Sequence, residues 1–147
     1  MSKDALKFLQ SYVRELVDVG GENLPKSISI KLGQKLGQLY KSKGITSYEK
    51  GLMGMYKVMN GKPTVTQIDD NNYEVTVKYK NNFCPVGGTL NCEIAELFQN
   101  SICIPYTQGF LTSLNPLFKY GGKVQKCIIN DNNKFCQYTL HLEEKEK

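Results

Sequence analysis

Along residues 4–19, apolar positions recur three and four apart: Ala5, Leu6, Phe8, Leu9, Tyr12, Val13, Leu16 and Val17. This spacing predicts an amphipathic helix. Asp4 suits its first turn, where a carboxylate meets the positive end of the helix dipole. Gly20-Gly21 suits its end, because glycine readily takes the left-handed conformation that stops a helix. The apolar face is broad, so this helix is expected to be covered on more than one side or to meet a partner chain. Pro25 can open a second helix, because the first turn does not need its missing N–H. Ile28, Leu32, Leu36, Leu39 and Tyr40 form that helix's stripe, Lys31 and Lys35 point away from it, and Gly44 ends it. Ser47 can cap a third helix, with Tyr48, Leu52, Met55, Tyr56 and Met59 on one face and Met53 beside them. Gly51 and Gly54 weaken it by about 1 kcal/mol each relative to alanine.

The period then changes to two. "PTVTQI" and "NYEVTVKYK" flank "DDNN", and Tyr73, Val75, Val77 and Tyr79 alternate with polar residues, which predicts an antiparallel hairpin. Asn91 can cap a short helix carrying Glu93, Ile94, Leu97 and Phe98. Pro105 can start another, containing Gly109, Phe110, Leu111 and Leu114. "NPLFKYGG" reads as a loop. "KVQKCIIN" and "KFCQYTLHL" read as a last hairpin, and "EEKEK" as a frayed tail. The order is α-α-α-β-β-α-α-β-β. Two hairpins without a βαβ rhythm predict an α+β fold, a four-stranded antiparallel sheet packed against helices, formed by residues 1–147 as one domain.

With 147 residues, the chain is long enough to bury a core without covalent staples. No apolar run approaches the length that crosses a bilayer. The first residues lack the pattern of a secretory signal, so a cytoplasmic protein is expected. Five cysteines, an odd number, argue against a full disulfide framework in that setting. The net charge of +5 is uneven. Residues 24–62 hold eight lysines and one glutamate, whereas residues 81–147 balance six lysines with six acids. A basic patch can meet nucleic acid, an anionic membrane or an acidic partner, but solvated helix faces are the favoured reading, and direct contact with nucleic acid is not expected.

The residues that carry chemistry are mainly thiols. If the last hairpin turns on Asp131-Asn132, then Cys127 faces Cys136, and opposed side chains have Cβ atoms about 4.5–5.5 Å apart. Two thiolates at that spacing can share a tetrahedral zinc. Cys103, Cys84, Cys92 and Glu93 are candidates to complete the set, although no CxxC pair occurs. Taken alone, these cysteines read first as small buried core residues, and zinc is the alternative. His141, the single histidine, alternates away from the inward side chains of its strand and reads as exposed. No Walker loop, GxGxxG, HExxH or nucleophile elbow is present. The methionines of the third helix could line an adaptable apolar pocket or simply fill the core.

The stretches "SICIPYTQGFLTSL" and "GGKVQKCIINDNNKFCQYTLHL" resemble the ending of the 4-vinyl-reductase domain family. That family includes hydrocarbon-binding proteins of archaea and the sensor domains of phenol-responsive regulators. Cys103, Gly109-Phe110, Cys127 and Cys136 stand where the family places a cysteine, a glycine-aromatic pair and two further cysteines. The resemblance implies an α+β domain, often dimeric through its helices, with an architecture shared by vesicle-tethering complex subunits. In the phenol sensors three cysteines and a glutamate hold a structural zinc. The glutamate's place is Val124 here, which cannot ligate, so Cys84 is the substitute fourth ligand, with Glu93 or Cys92 next.

Together these readings predict a homodimeric domain that binds a small hydrophobic or aromatic molecule. Met55, Met59, Phe98 and Phe110 are expected to line its pocket, and Cys103, Cys127, Cys136 and Cys84 to hold zinc. Nothing supplies an obvious catalytic base, so turnover is not the leading expectation. Two alternatives stand beside it. One is a thiol-dependent enzyme, a hydrolase or reductase accessory, using Cys84 with a pKa lowered by a nearby helix N-terminus. The other is an interaction subunit of a larger complex.

Overall fold

The second helix buries the side that hydropathy would leave out. In the computed structural model, which describes residues 3–131 and 133–146, α1 is Lys3–Gly20, α2 Asn23–Ser42 and α3 Tyr48–Val58. Pro25, Ser29, Gly33, Gly37 and Tyr40 are the buried residues of α2. The expected stripe points largely outward: Ile28, Leu32 and Leu39 are exposed, and only Tyr40 of that set is buried. The cause is the crossing of α2 with α5 (Ile104–Leu114). A Cβ on Gly33 would run into the carbonyl of Tyr106, and one on Gly109 into the carbonyl of Ile30. The two backbones therefore touch, an approach only glycine allows. On α1, Leu6 and Val13 are buried whereas Phe8 and Tyr12 are exposed and stack on each other. Ser47 caps α3 as expected, its side chain accepting the Lys50 N–H.

The sheet has the order β1-β2-β4-β3, with β1 Gly61–Asp69, β2 Asn72–Tyr79, β3 Phe118–Lys126 and β4 Cys136–Glu144. All three pairings are antiparallel, so the α+β architecture and the element order are those predicted. Alternation selects the core face: Val75, Val77, Tyr138, Leu140 and Leu142 bury against Leu52, Met55, Phe110, Leu111 and Leu114 of the helices. A second cluster joins Val13, Cys84, Ile94, Phe98, Cys127, Ile128 and Ile129.

Three boundaries differ from expectation. "NPLFKYGG" is no simple loop, since β3 begins at Phe118 and runs through Gly121 and Gly122. Two glycines hide a strand because they carry no side chain to alternate. Tyr120 anchors this one instead, its hydroxyl donating to the Asn115 carbonyl at 3.1 Å and its own carbonyl accepting from the Gln108 amide at 2.9 Å. Second, "KVQKCIIN" is not all strand: β3 stops at Lys126, and Ile128–Asp131 forms a single helical turn. Asn132 of the expected turn lies outside the described residues. Third, Glu143 and Glu144 do not fray but pair with Lys119 and Phe118.

α4 (Cys92–Phe98) and α5 were expected as separate helices but run on through a π-helical segment, Gln99–Cys103. Pro105 does not open a free-standing helix. It lies two residues past that segment, and its ring has no N–H to give the Ser101 carbonyl. Ser29 of α2 supplies the missing donor, its hydroxyl 2.7 Å from that carbonyl.

Candidate functional site

The π segment widens the rod where it passes the sheet and turns Gln99, Ile102 and Cys103 toward a cavity of about 120 Å³. Such insertions frequently mark functional sites. α3 contributes Met55 and Tyr56 to the wall, the residue after it contributes Met59, and β2 contributes Val77 and Tyr79. Val124 and Cys127 come from β3 and its end, Cys136 and Tyr138 from β4, and Cys84, Pro85 and Val86 from the loop after β2.

A chain of buried hydroxyls supplies order within the apolar wall. Tyr56 donates to the Tyr138 hydroxyl at 2.7 Å. Thr107 lies beside Tyr138, and its hydroxyl donates to the Cys103 carbonyl at 2.8 Å. Burial pushes Tyr56 and Tyr138 well above the usual tyrosine range, and both stay neutral.

Four of the five thiols line this cavity: Cys84, Cys103, Cys127 and Cys136. The two thiols expected to face each other, Cys127 and Cys136, do meet. β3 ends at Lys126, paired with Gln137, and Cys127 follows directly, its thiol within reach of Cys136. The Cys136 thiol donates to Cys127 and pulls the Cys127 pKa below the ordinary cysteine value, helped by the Gln99 amide and the N–H groups of Ile129 and Asn130. The donor role, with burial, raises Cys136. Burial also raises Cys103.

Cys84 does not have the lowered pKa expected of a nucleophile. Desolvation raises it, outweighing hydrogen bonds from the N–H groups of Val86 and Gly87. The helix that was to activate it begins only at Cys92. Cys84 instead starts a tight loop, closed by its backbone bridge to Gly88.

The expected zinc finds no ligand set. Among the described residues, no group of three or more histidine, cysteine, aspartate or glutamate side chains is placed to hold a metal ion. Val124 lines the cavity where the resemblance implied a glutamate. Cys92 and Glu93 lie off the cavity: the Cys92 thiol donates to the Asn130 carbonyl, and Glu93 faces Arg14 at 3.9 Å.

Of the residues expected in the pocket, Met55 and Met59 line it, while Phe98 and Phe110 do not. Phe110 is fully buried against the edge of Tyr40, and Phe98 belongs to the second core cluster. Tyr56, Tyr138 and Thr107 went unnamed as site residues, although the alternation of β4 already turned Tyr138 inward. His141 is exposed, as expected, with Nδ1 2.9 Å from the Asn72 amide oxygen.

No protein-family model matches this chain, and no curated protein matches it by sequence. Solved structures do match its fold. One is a trafficking protein particle complex subunit 3 from Naegleria fowleri, covalently bound to palmitic acid, at TM-score 0.62 and 16% identity over 99% of both chains. Another is the phenol-responsive sensory domain of the transcription activator PoxR with phenol. It has the same TM-score, 0.62, and the same 16% identity, over 92% of this chain and 73% of that one. At such identity the likeness establishes the fold. It agrees with the similarity to phenol sensors and tethering subunits, while the 4-vinyl-reductase resemblance has no family match behind it. Among the described residues no helix is long and apolar enough to cross a membrane.

Proposed function

We propose that this chain is a ligand-binding domain whose cavity takes one small apolar molecule the size of a single aromatic ring. The observation that carries this is the cavity itself, about 120 Å³ and lined mainly by apolar side chains. An apolar cavity of about 150 Å³ in another protein stays dry and binds benzene. The volume therefore suits a ring or a short chain better than a full palmitoyl chain. The fold's occurrence with phenol in the PoxR sensory domain supports the same reading. Tyr56 gives its proton to Tyr138 and keeps its acceptor capacity for a ligand hydroxyl.

Thermal unfolding with phenol tests this. A ligand held by the folded state alone stabilises it by about 2.7 kcal/mol at a hundredfold excess over Kd, so Tm should rise with phenol. Filling the cavity with Ile102→Phe should abolish the rise while leaving the circular dichroism spectrum native. An absent rise, or one that survives Ile102→Phe, contradicts the proposal.

A second reading, a helix-mediated homodimer or complex subunit, is favoured by the uncovered apolar side chains of α1 and α2. Phe8 is 72% exposed, Tyr12 55%, Leu32 51% and Leu39 49%. Leu32→Lys together with Phe8→Lys should turn a dimer into a monomer in sedimentation analysis. A monomeric parent chain would remove the homodimer.

A further inference from the structure

The cavity shares Met59, Tyr79 and Pro85 with a broad surface groove. Five lysines line that groove, Lys50, Lys57, Lys62, Lys78 and Lys80, with no acidic residue among its walls. Three of them come from the basic segment 24–62, and the fold adds two from the end of β2 and beyond. Among the described residues none of these ammonium groups has a carboxylate partner in an ion pair. Lys62 and Lys78 also occupy directly opposed positions of β1 and β2. Like charges set opposite each other on a strand pair repel and destabilise it. Among the described residues no carboxylate forms an ion pair with either lysine, and an anion in the groove would offset that cost. The groove is also partly apolar, with Met53, Phe83 and Pro85 in its walls.

We propose that the ligand is a small anionic amphiphile, its apolar body in the cavity and its anionic head among these lysines. This rests on the ligand-binding reading above and narrows it from any ring-sized apolar molecule to one carrying a negative charge. The head group stays in water-accessible surroundings, where the lysines attract it as point charges and salt screens the attraction. The body contributes affinity by leaving water. The lysines thus set the preference between a charged ligand and its neutral analogue, and the cavity sets its size.

The test compares phenylpropanoate with phenylpropanol, which share a ring and a chain and differ in charge. Calorimetric titration should show the carboxylate binding roughly tenfold tighter at low salt, and the difference should shrink toward none at high ionic strength. The double variant Lys62→Gln, Lys78→Gln changes no cavity residue. It should lower carboxylate affinity toward that of the alcohol and leave alcohol affinity unaltered. Equal binding of the two probes by the native chain would overturn the anionic head while keeping the cavity ligand. A carboxylate preference that survives the double variant would overturn the assignment of the head to this groove. Failure of both probes to bind would overturn the ligand-binding reading itself.

Discussion

The thiol pair at the end of β3 shows how one residue's chemistry depends on another's position. Cys127 is held below the ordinary cysteine pKa because Cys136 donates its proton toward it, and Cys136 is raised in turn. A thiol whose folded pKa is lowered stabilises the fold above its unfolded value of 9.0, and this is lost as pH falls through the folded value. The raised Cys136 acts with the opposite sign, losing its contribution as pH climbs past the unfolded value. In chelator-treated protein, thiolate ultraviolet absorbance should therefore show one group ionising below the normal range. Cys136→Ala should move that midpoint upward, and an unmoved midpoint would mean that Cys136 is not the donor. That these two thiols meet was legible because the two strands lie beside each other and are joined by a short connection. The helical turn at Ile128–Asp131 was not, since "IIND" carries no periodicity of its own. The activation of Cys84 was misjudged for a related reason. Sequence distance to Cys92 says nothing about whether a helix end aims at a thiol.

Among the elements, α2 is the instructive one. Its leucine stripe is real, but the neighbouring Gly33 and Gly37 meet α5, and Ser29 meets the π segment before it. Hydropathy marks an apolar face without saying whether it enters this chain's core or remains on its surface. Glycines add nothing to a hydrophobic count, yet they set how closely two helices approach. Gly33→Ala should cost about 2 kcal/mol or more, as overpacking against backbone does. Leu32→Ala, on the exposed side, should cost less than about 0.5 kcal/mol in the monomer. Urea unfolding of the two variants would measure the contrast, and the reverse order would mean that α2 is turned around. The strands were easier to read, because Tyr73, Val75 and Val77 alternate over a two-stranded unit. β3 escaped because Gly121 and Gly122 interrupt its alternation.

At the scale of the whole molecule, the arrangement follows from two hairpins separated by helices, a pattern that leaves an antiparallel sheet with one covered face. The cavity is less legible, because it depends on the π segment, which neither Ser101 nor Pro105 announces singly. Both matter only once Ser29 of another helix satisfies the Ser101 carbonyl. Met55 and Met59 pointed to the right wall, while Phe98 and Phe110 were large enough to be claimed by the core.

The central claim, that the cavity binds a ring-sized apolar molecule, is tested most directly by nuclear magnetic resonance of isotope-labelled methionine methyl groups during a phenol titration. Met55 and Met59 line the cavity, whereas Met53 is 53% exposed and outside its wall. The account predicts saturable shifts of the Met55 and Met59 methyl signals with Met53 nearly still. Unmoved signals, or shifts confined to Met53, would contradict it.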